Sequence, residues 1–170
     1  MRRPEKTEHF EYYSRYIDLV PETDPIAVLR AQRDDFAKLE AEFGEARGGF
    51  RYAPEKWSVK EVIGHLADGE RVFSFRGFAF LRGDPAPLPS FEQDDYVREA
   101  RFDSRTLRSV MDEYRAVRAA TIALFESVSD ERDWDRTGVA SGRTFTARTI
   151  PFIIAGHHRW HSRVLRERYR

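Results

Sequence analysis

Four stretches of this sequence repeat apolar residues at intervals of three and four, and no stretch alternates convincingly between apolar and polar residues. Intervals of three and four place side chains on one face of an α-helix, whereas a half-buried strand needs alternation at every second residue. The pattern therefore predicts an all-α protein with four amphipathic helices.

Capping residues and the outermost apolar positions give the bounds of these helices. An Asp-Pro pair precedes the first helix, and Ser58-Val59-Lys60-Glu61 has the spacing of a capping box for the second. The predicted helices cover 24–44, 58–83, 103 or 104 to 128, and 146 to at least 165.

The connections between the helices predict how they are ordered. About twenty residues, beginning with the proline-rich segment 83–89, link the second helix to the third, and a turn is expected at 138–142. One long crossover among four helices indicates a bundle that is not simply up-down-up-down. No linker divides the chain, so a single domain is expected over 1–170, with an aromatic N-terminal arm (1–23) packed on the bundle.

The composition excludes several classes of protein. The 170 residues contain no cysteine, so a disulfide framework, a thiolate metal site and a cysteine nucleophile are impossible. The 29 basic and 29 acidic residues cancel, which argues against a nucleic-acid partner. No apolar run is long enough for a membrane span and no secretory leader is visible, so we expect a cytoplasmic protein.

Histidines are the strongest candidates for chemistry. His157 and His161 have the spacing i, i+4 on the fourth predicted helix, which places two ring nitrogens on one face where both can bind one divalent cation. His65 lies within the apolar stripe of the second helix, so packing of these two helices brings three imidazoles together. The alternatives are that His158, which shares a face with His161, is a ligand, or that the histidines are ordinary hydrogen-bonded core residues.

Acidic residues near His65 are weaker candidates. Asp68 follows His65 by three residues and shares its face more nearly than Glu70 does. Asp68 is a candidate hydrogen-bond acceptor for a ligand or a proton carrier. The alternative is a solvated carboxylate paired with Arg71 or Arg76.

Three segments and the arm resemble the DinB-like superfamily of four-helix metalloproteins. They are the block 52–70 with its Trp-Ser-x-x-Glu-x-x-x-His pattern, the loop 82–89, the segment 155–161, and residues 16–21. The family's last motif often reads Gly-His-x-x-His-His, with the first and last histidines as metal ligands. Here Trp160 replaces the penultimate histidine and His158 is additional.

The resemblance implies a fold, a metal site and a range of reactions. It implies an up-down-down-up bundle, a homodimer, and a divalent ion such as zinc, nickel or manganese on His65, His157 and His161. Members of the family include transferases that use low-molecular-weight thiols, and maleylpyruvate isomerases.

The leading hypothesis is a metal-dependent S-transferase that joins a low-molecular-weight thiol to a small electrophilic substrate in detoxification or a stress response. A metal-dependent hydrolase, with Asp68 or Glu70 shuttling protons, is the second hypothesis. A non-catalytic, stress-induced metal-binding protein is the third.

Overall fold

The computed structural model describes all 170 residues and is mostly helical. In chain order the helices and strands are α1 Ser14–Ile17, α2 Pro25–Ala31, α3 Arg33–Arg47, α4 Val59–Leu81, α5 Gln93–Ala100, α6 Leu107–Glu126, β1 Thr137–Ala140, β2 Arg143–Thr146 and α7 Thr149–Arg168. Short 3₁₀ segments occur at 6–8, 11–13, 102–104 and 131–135. No helix is both long and apolar enough to span a bilayer.

The first predicted helix is two helices. Asp24 caps α2 by accepting hydrogen bonds from the backbone N–H groups of Ile26 and Ala27, both at 3.0 Å. The helix is interrupted at Gln32, whose buried side chain donates to the Ala155 carbonyl oxygen at 2.8 Å. The regular helix is broken at Gly44, where its end was predicted: Gly44 adopts φ +58°, and a short helical segment follows it to Arg47.

The second predicted helix is observed as α4. The Ser58 hydroxyl accepts from the Glu61 N–H, and the Glu61 carboxylate accepts from the Ser58 N–H, as the capping-box spacing predicts. The long crossover that follows α4 contains a helix that was not predicted, α5, and a 3₁₀ turn. Phe102 in that turn is buried against Gly64, where a Cβ atom would lie 2.4 Å from the ring.

The third predicted helix begins later than expected, and the fourth does too. Asp103 and Ser104 belong to the 3₁₀ turn, and Thr106 caps α6 by accepting from the Ser109 N–H at 3.1 Å. Thr146, the predicted start of the last helix, pairs with Thr137 in a β-hairpin instead, and α7 begins at Thr149.

The prediction that the chain has no strands was wrong. β1 and β2 form an antiparallel hairpin in which Thr137 pairs with Thr146, and Ser141 and Gly142 at its turn have positive φ angles. Each strand has only four residues, too few for alternation to be recognisable. The crossover contacts this hairpin where the Leu88 N–H donates to the Val139 carbonyl oxygen at 2.9 Å.

The arm lies against α7. Tyr16, Ile17 and Val20 are buried in one of two hydrophobic clusters, together with residues of α7. Farther along, Arg159 donates to the Leu19 carbonyl oxygen and pairs with Glu22. The Glu22 carboxylate accepts these hydrogen bonds, which lowers its pKa to about 2.

Gly156 allows the closest approach between the arm and α7. A Cβ atom at this position would lie 2.0 Å from the Tyr16 carbonyl oxygen, which is backbone and cannot rotate away. We expect Gly156→Ala to lower the free energy of unfolding by about 1–3 kcal/mol in urea titrations, despite the higher helix propensity of alanine. Gly49→Ala is the control, because nothing lies within 4 Å of its Cβ position. Unchanged stability of Gly156→Ala would contradict this close contact.

Candidate metal centre

The three histidines predicted to bind metal lie on two long helices that pack together. His65 is in the N-terminal half of α4, and His157 and His161 are one turn apart on α7. Small residues allow this approach: a Cβ atom on Gly69 of α4 would lie 3.1 Å from the His157 ring. The α4–α7 interface therefore brings the three imidazoles to one place.

The distances within this group, which we call the histidine cluster (His65, His157 and His161), are short. One ring nitrogen from each residue lies within 4.8 Å of those of the other two, and the Nε2 atoms of His65 and His157 are 3.0 Å apart. The centroids of the three rings are separated by 4.6 to 4.9 Å. The three rings thus face a common point.

Burial keeps the cluster neutral. Desolvation and the neighbouring imidazole of His161 lower the pKa of His65 to about 3, and desolvation lowers that of His161 to about 4. Desolvation also lowers the pKa of His157 well below its ordinary value. At neutral pH each ring therefore keeps a nitrogen lone pair that is available to a cation.

The donor set fits a divalent transition metal. A tetrahedral zinc ion with nitrogen ligands at about 2.0–2.1 Å holds neighbouring ligand atoms about 3.4 Å apart, which is within the range found in the cluster. Three protein ligands leave a coordination position for water or substrate, as in catalytic zinc sites. Imidazole ligands without carboxylates suit zinc or nickel better than manganese, which prefers oxygen.

His158 is directed into a different part of the interior. Its Nδ1 atom is 3.0 Å from the Tyr114 hydroxyl, and its Nε2 atom is 3.3 Å from the Ser162 hydroxyl and 3.5 Å from the Asp35 carboxylate. Both ring nitrogens of His158 therefore have polar partners outside the cluster. His158 is not a member of the histidine cluster. Of the two alternatives left open by the sequence, a metal ligand or a hydrogen-bonded core residue, the contacts of His158 are those of a core residue.

The two acidic candidates on α4 are engaged in ion pairs. The Asp68 carboxylate accepts from Arg71 at 3.0 Å, and burial raises its pKa. Glu70 is buried and receives a bidentate pair from Arg118, with Nε–Oε1 and Nη2–Oε2 distances of 2.8 Å. The role of Asp68 stays a prediction, whereas the ion pair leaves Glu70 no free oxygen directed at a substrate.

Two cavities reach the cluster. The first, which we call the arm cavity, has a volume of about 250 Å³ and includes His65 and His157 in its lining. Its other lining residues are Tyr12, Tyr13, Tyr16, Phe73, Phe91, Glu92, Gln93 and Asp94. The second, the tryptophan cavity, has a volume of about 330 Å³, and its lining residues are Tyr52, Glu55, Lys56, Trp57, Val62, Asp94, Trp160, His161, Val164 and Tyr169.

Several of these lining residues were not predicted from the sequence. The aromatic density of the arm was the only indication that Tyr12, Tyr13 and Tyr16 lie near the site. Nothing indicated Asp94, which is exposed on α5 and borders both cavities. Its position depends on the path of the crossover, which no periodicity describes.

Comparison with known families identifies the chain. The model of the DinB superfamily matches residues 29–165. This stretch is well over half of the sequence, and the chain therefore belongs to the DinB superfamily, which confirms the resemblance found in its motifs. No curated protein matches the sequence.

Two solved structures have a similar fold. YfiT from Bacillus subtilis, described as a probable metal-dependent hydrolase with an unusual four-helix bundle topology, has a TM-score of 0.67 and 14% identity. The alignment covers 96% of this chain and 91% of YfiT. The mycothiol-dependent maleylpyruvate isomerase has a TM-score of 0.67 and 13% identity over 81% of this chain and 57% of its own. At these identities the likeness concerns the fold alone.

Proposed function

We propose that the protein is a divalent-metal-dependent enzyme whose metal is bound by His65, His157 and His161. The observation that carries the proposal is the convergence of three neutral imidazoles, two buried and that of His161 half-buried, between two cavities. A purely structural histidine cluster has no need of openings on two sides. When bound, a divalent cation supplies a Lewis acid that lowers the pKa of a coordinated thiol or water.

We propose further that the reaction is transfer of a low-molecular-weight thiol to a small electrophile. The similar fold of a mycothiol-dependent enzyme supports this choice. The absence of cysteine is compatible with this choice, because the reactive sulfur then comes from a cosubstrate and the protein offers no competing thiol. Trp57 and Tyr16 cover part of the cluster with aromatic surface, their ring centroids lying 4.7 Å from that of His65 and 5.1 Å from that of His157, respectively.

Thiol-dependent turnover tests this proposal. We expect the metal-loaded protein to conjugate 1-chloro-2,4-dinitrobenzene with at least one of glutathione, mycothiol and bacillithiol, at a rate at least about a hundredfold above background. The same protein after removal of metal by a chelator is the control and should show background rates. Background rates with all three thiols would contradict the transferase assignment.

A metal-dependent hydrolase is the second candidate, and the similar fold of YfiT favours it. Cleavage of p-nitrophenyl acetate without any thiol, lost on metal removal, would support this candidate over the transferase. Metal binding without either activity would leave the third hypothesis, a stress-induced metal-binding protein.

The proposal includes the order of the helices and the setting of the enzyme. We propose an up-down-down-up bundle, supported by the long crossover between α4 and α6. We also propose that the enzyme is a cytoplasmic homodimer, and the exposed, stacked rings of Phe75 and Phe78 support the proposal of a dimer. We propose that it has no nucleic-acid partner, which the zero net charge supports.

A further inference from the structure

Arg76 on α4 is a buried arginine that forms no ion pair. Three arginine side chains are buried in this protein, those of Arg76, Arg118 and Arg148. Arg118 pairs with Glu70, and Arg148 pairs with Glu8. No carboxylate lies within ion-pair distance of Arg76, although this residue is only 3% exposed. Burial removes much of the hydration of its charge, and no carboxylate compensates for that loss.

Neutral groups fix the guanidinium of Arg76 in place. Its Nη2 atom donates to the Pro89 carbonyl oxygen and to the Ser141 hydroxyl, both at 2.9 Å. The guanidinium carbon lies 5.8 Å from the ring centroids of Phe73 and of Phe91. Neither hydrogen bond uses Nε or Nη1, and neither of these atoms is sealed from solvent. Two nitrogen atoms of a largely buried cation can therefore donate to an anion.

A separate cavity opens beside Arg76, between α4 and the crossover. This crossover cavity has a volume of about 270 Å³, and its lining includes Arg71, Phe75, Arg76, Leu88, Phe91 and Tyr96. No acidic residue belongs to the lining, and Phe91 is the one residue shared with the arm cavity. Because no member of the histidine cluster borders it, the crossover cavity is distinct from the candidate metal centre.

Arg76 carries the one positive charge in this lining that is not already paired. Arg71, the other charged residue, is exposed and pairs with Asp68 at 3.0 Å and with Glu113 at 2.7 Å. The Tyr13 hydroxyl lies near the Arg76 guanidinium, but burial raises the pKa of Tyr13, which is therefore uncharged at neutral pH. A carboxylate in the crossover cavity thus meets a cation that no group of the chain neutralises.

The acidic residues beside the aromatic wall lie outside the lining. Glu92 follows Phe91 and Asp95 precedes Tyr96 in the chain, but neither carboxylate borders the crossover cavity. Asp95 pairs with Arg98 at 2.7 Å, and Glu92 lines the arm cavity. Both are exposed, so water and salt screen their repulsion of an anion.

We propose that the crossover cavity is a second binding site, which takes a small carboxylate with a flat apolar body and binds its anionic end to Arg76. The rings of Phe91 and Tyr96, with centroids 5.5 Å apart, supply an apolar surface for that body. The carboxylate accepts from the free guanidinium donors, and such charge-assisted hydrogen bonds are stronger than those of a neutral ligand. Binding requires neither the metal nor the proposed reaction, because the histidine cluster does not border the site.

Benzoate and benzamide test the proposal, because they have nearly the same size and shape and differ in charge. We expect NMR titration of the metal-loaded protein to show benzoate binding at least about fivefold more tightly than benzamide. In Arg76→Gln this preference should fall below about twofold. Removal of the metal by a chelator should leave the affinity for benzoate unchanged, whereas its loss would place benzoate on the metal and overturn the proposal.

Two variants at exposed positions locate benzoate without disturbing the interior. Tyr96→Ala, in the wall of the crossover cavity, should weaken the binding of benzoate at least about threefold. Arg15→Gln is the matched control, because the Arg15 guanidinium carbon lies 4.0 Å from the ring centroid of Tyr12, in the wall of the arm cavity. It should change the affinity for benzoate less than about twofold.

Three further results would overturn the proposal. Equal affinity for the two probes, or no binding of benzoate at millimolar concentration, would leave Arg76 a structural link between α4, the crossover and the hairpin. A loss with Arg15→Gln rather than with Tyr96→Ala would place benzoate in the arm cavity. Phe75 also belongs to the face proposed for the homodimer, so the titration is repeated at a higher protein concentration. Affinity that falls as the dimer forms would show that a second copy covers the cavity.

Discussion

Alanine at His65, His157 or His161 should reduce the metal bound to the purified protein from about one equivalent to less than about a tenth. Each imidazole supplies one of three nitrogen donors in the cluster, and no carboxylate belongs to the group that could replace it. A site with two ligands binds far more weakly, because the lost bond is replaced by water. Elemental analysis of protein purified without a histidine tag and passed through a desalting column measures the stoichiometry.

His158→Gln is the matched control for these three variants. His158 lies next to His157 in the chain, but its ring nitrogens contact Tyr114, Ser162 and Asp35. We expect it to retain metal near the wild-type level, with circular dichroism to verify folding. Tight binding by all three cluster variants, or loss of metal in His158→Gln alone, would contradict the assignment.

Arg118→Met should lower the free energy of unfolding by about 3–5 kcal/mol. The Arg118 side chain is fully buried and donates to Glu70, to Gln32 at 2.9 Å and to the Tyr114 hydroxyl at 3.2 Å. Methionine fills much of the volume but leaves the Glu70 carboxylate buried without a positive partner. The cost is a large part of the total stability of a small domain. Equilibrium urea denaturation measures it.

A surface arginine and a double variant complete this experiment. Arg98→Met, which removes only exposed pairs with Asp95 and Glu99, should change stability by less than about 0.5 kcal/mol. Adding Glu70→Met to Arg118→Met removes the isolated charge and should recover most of the lost stability. A loss below about 1 kcal/mol in Arg118→Met would show that the buried pair matters little.

The long helices and the approach of the histidines could be predicted because local patterns determine them. The capping box at Ser58 and the apolar stripes of α4 and α7 are readable over several turns, and the i, i+4 spacing places His157 and His161 on one face. The inward position of His65 could be predicted because this residue lies within the apolar stripe of α4.

The remaining features depend on contacts between distant segments. Each strand of the hairpin has only four residues. Gly138 in β1 lies so close to Phe80 that a Cβ atom there would be 1.9 Å from the ring. The break at Gln32 is accompanied by a hydrogen bond to Ala155, and Asp94 reaches the cavities through the path of the crossover. None of these contacts produces a periodic pattern in the sequence.

The contact between the arm and α7 has a consequence for the order in which the protein assembles. Leu19 and Arg159 are 140 residues apart in sequence, and His65 and His157 are 92 apart. Contacts of such separation carry a loop-closure entropy that local helical contacts do not, and they slow folding. During synthesis neither the histidine cluster nor the arm cavity exists until α7 has left the ribosome, so a nascent chain that lacks α7 has no complete metal site.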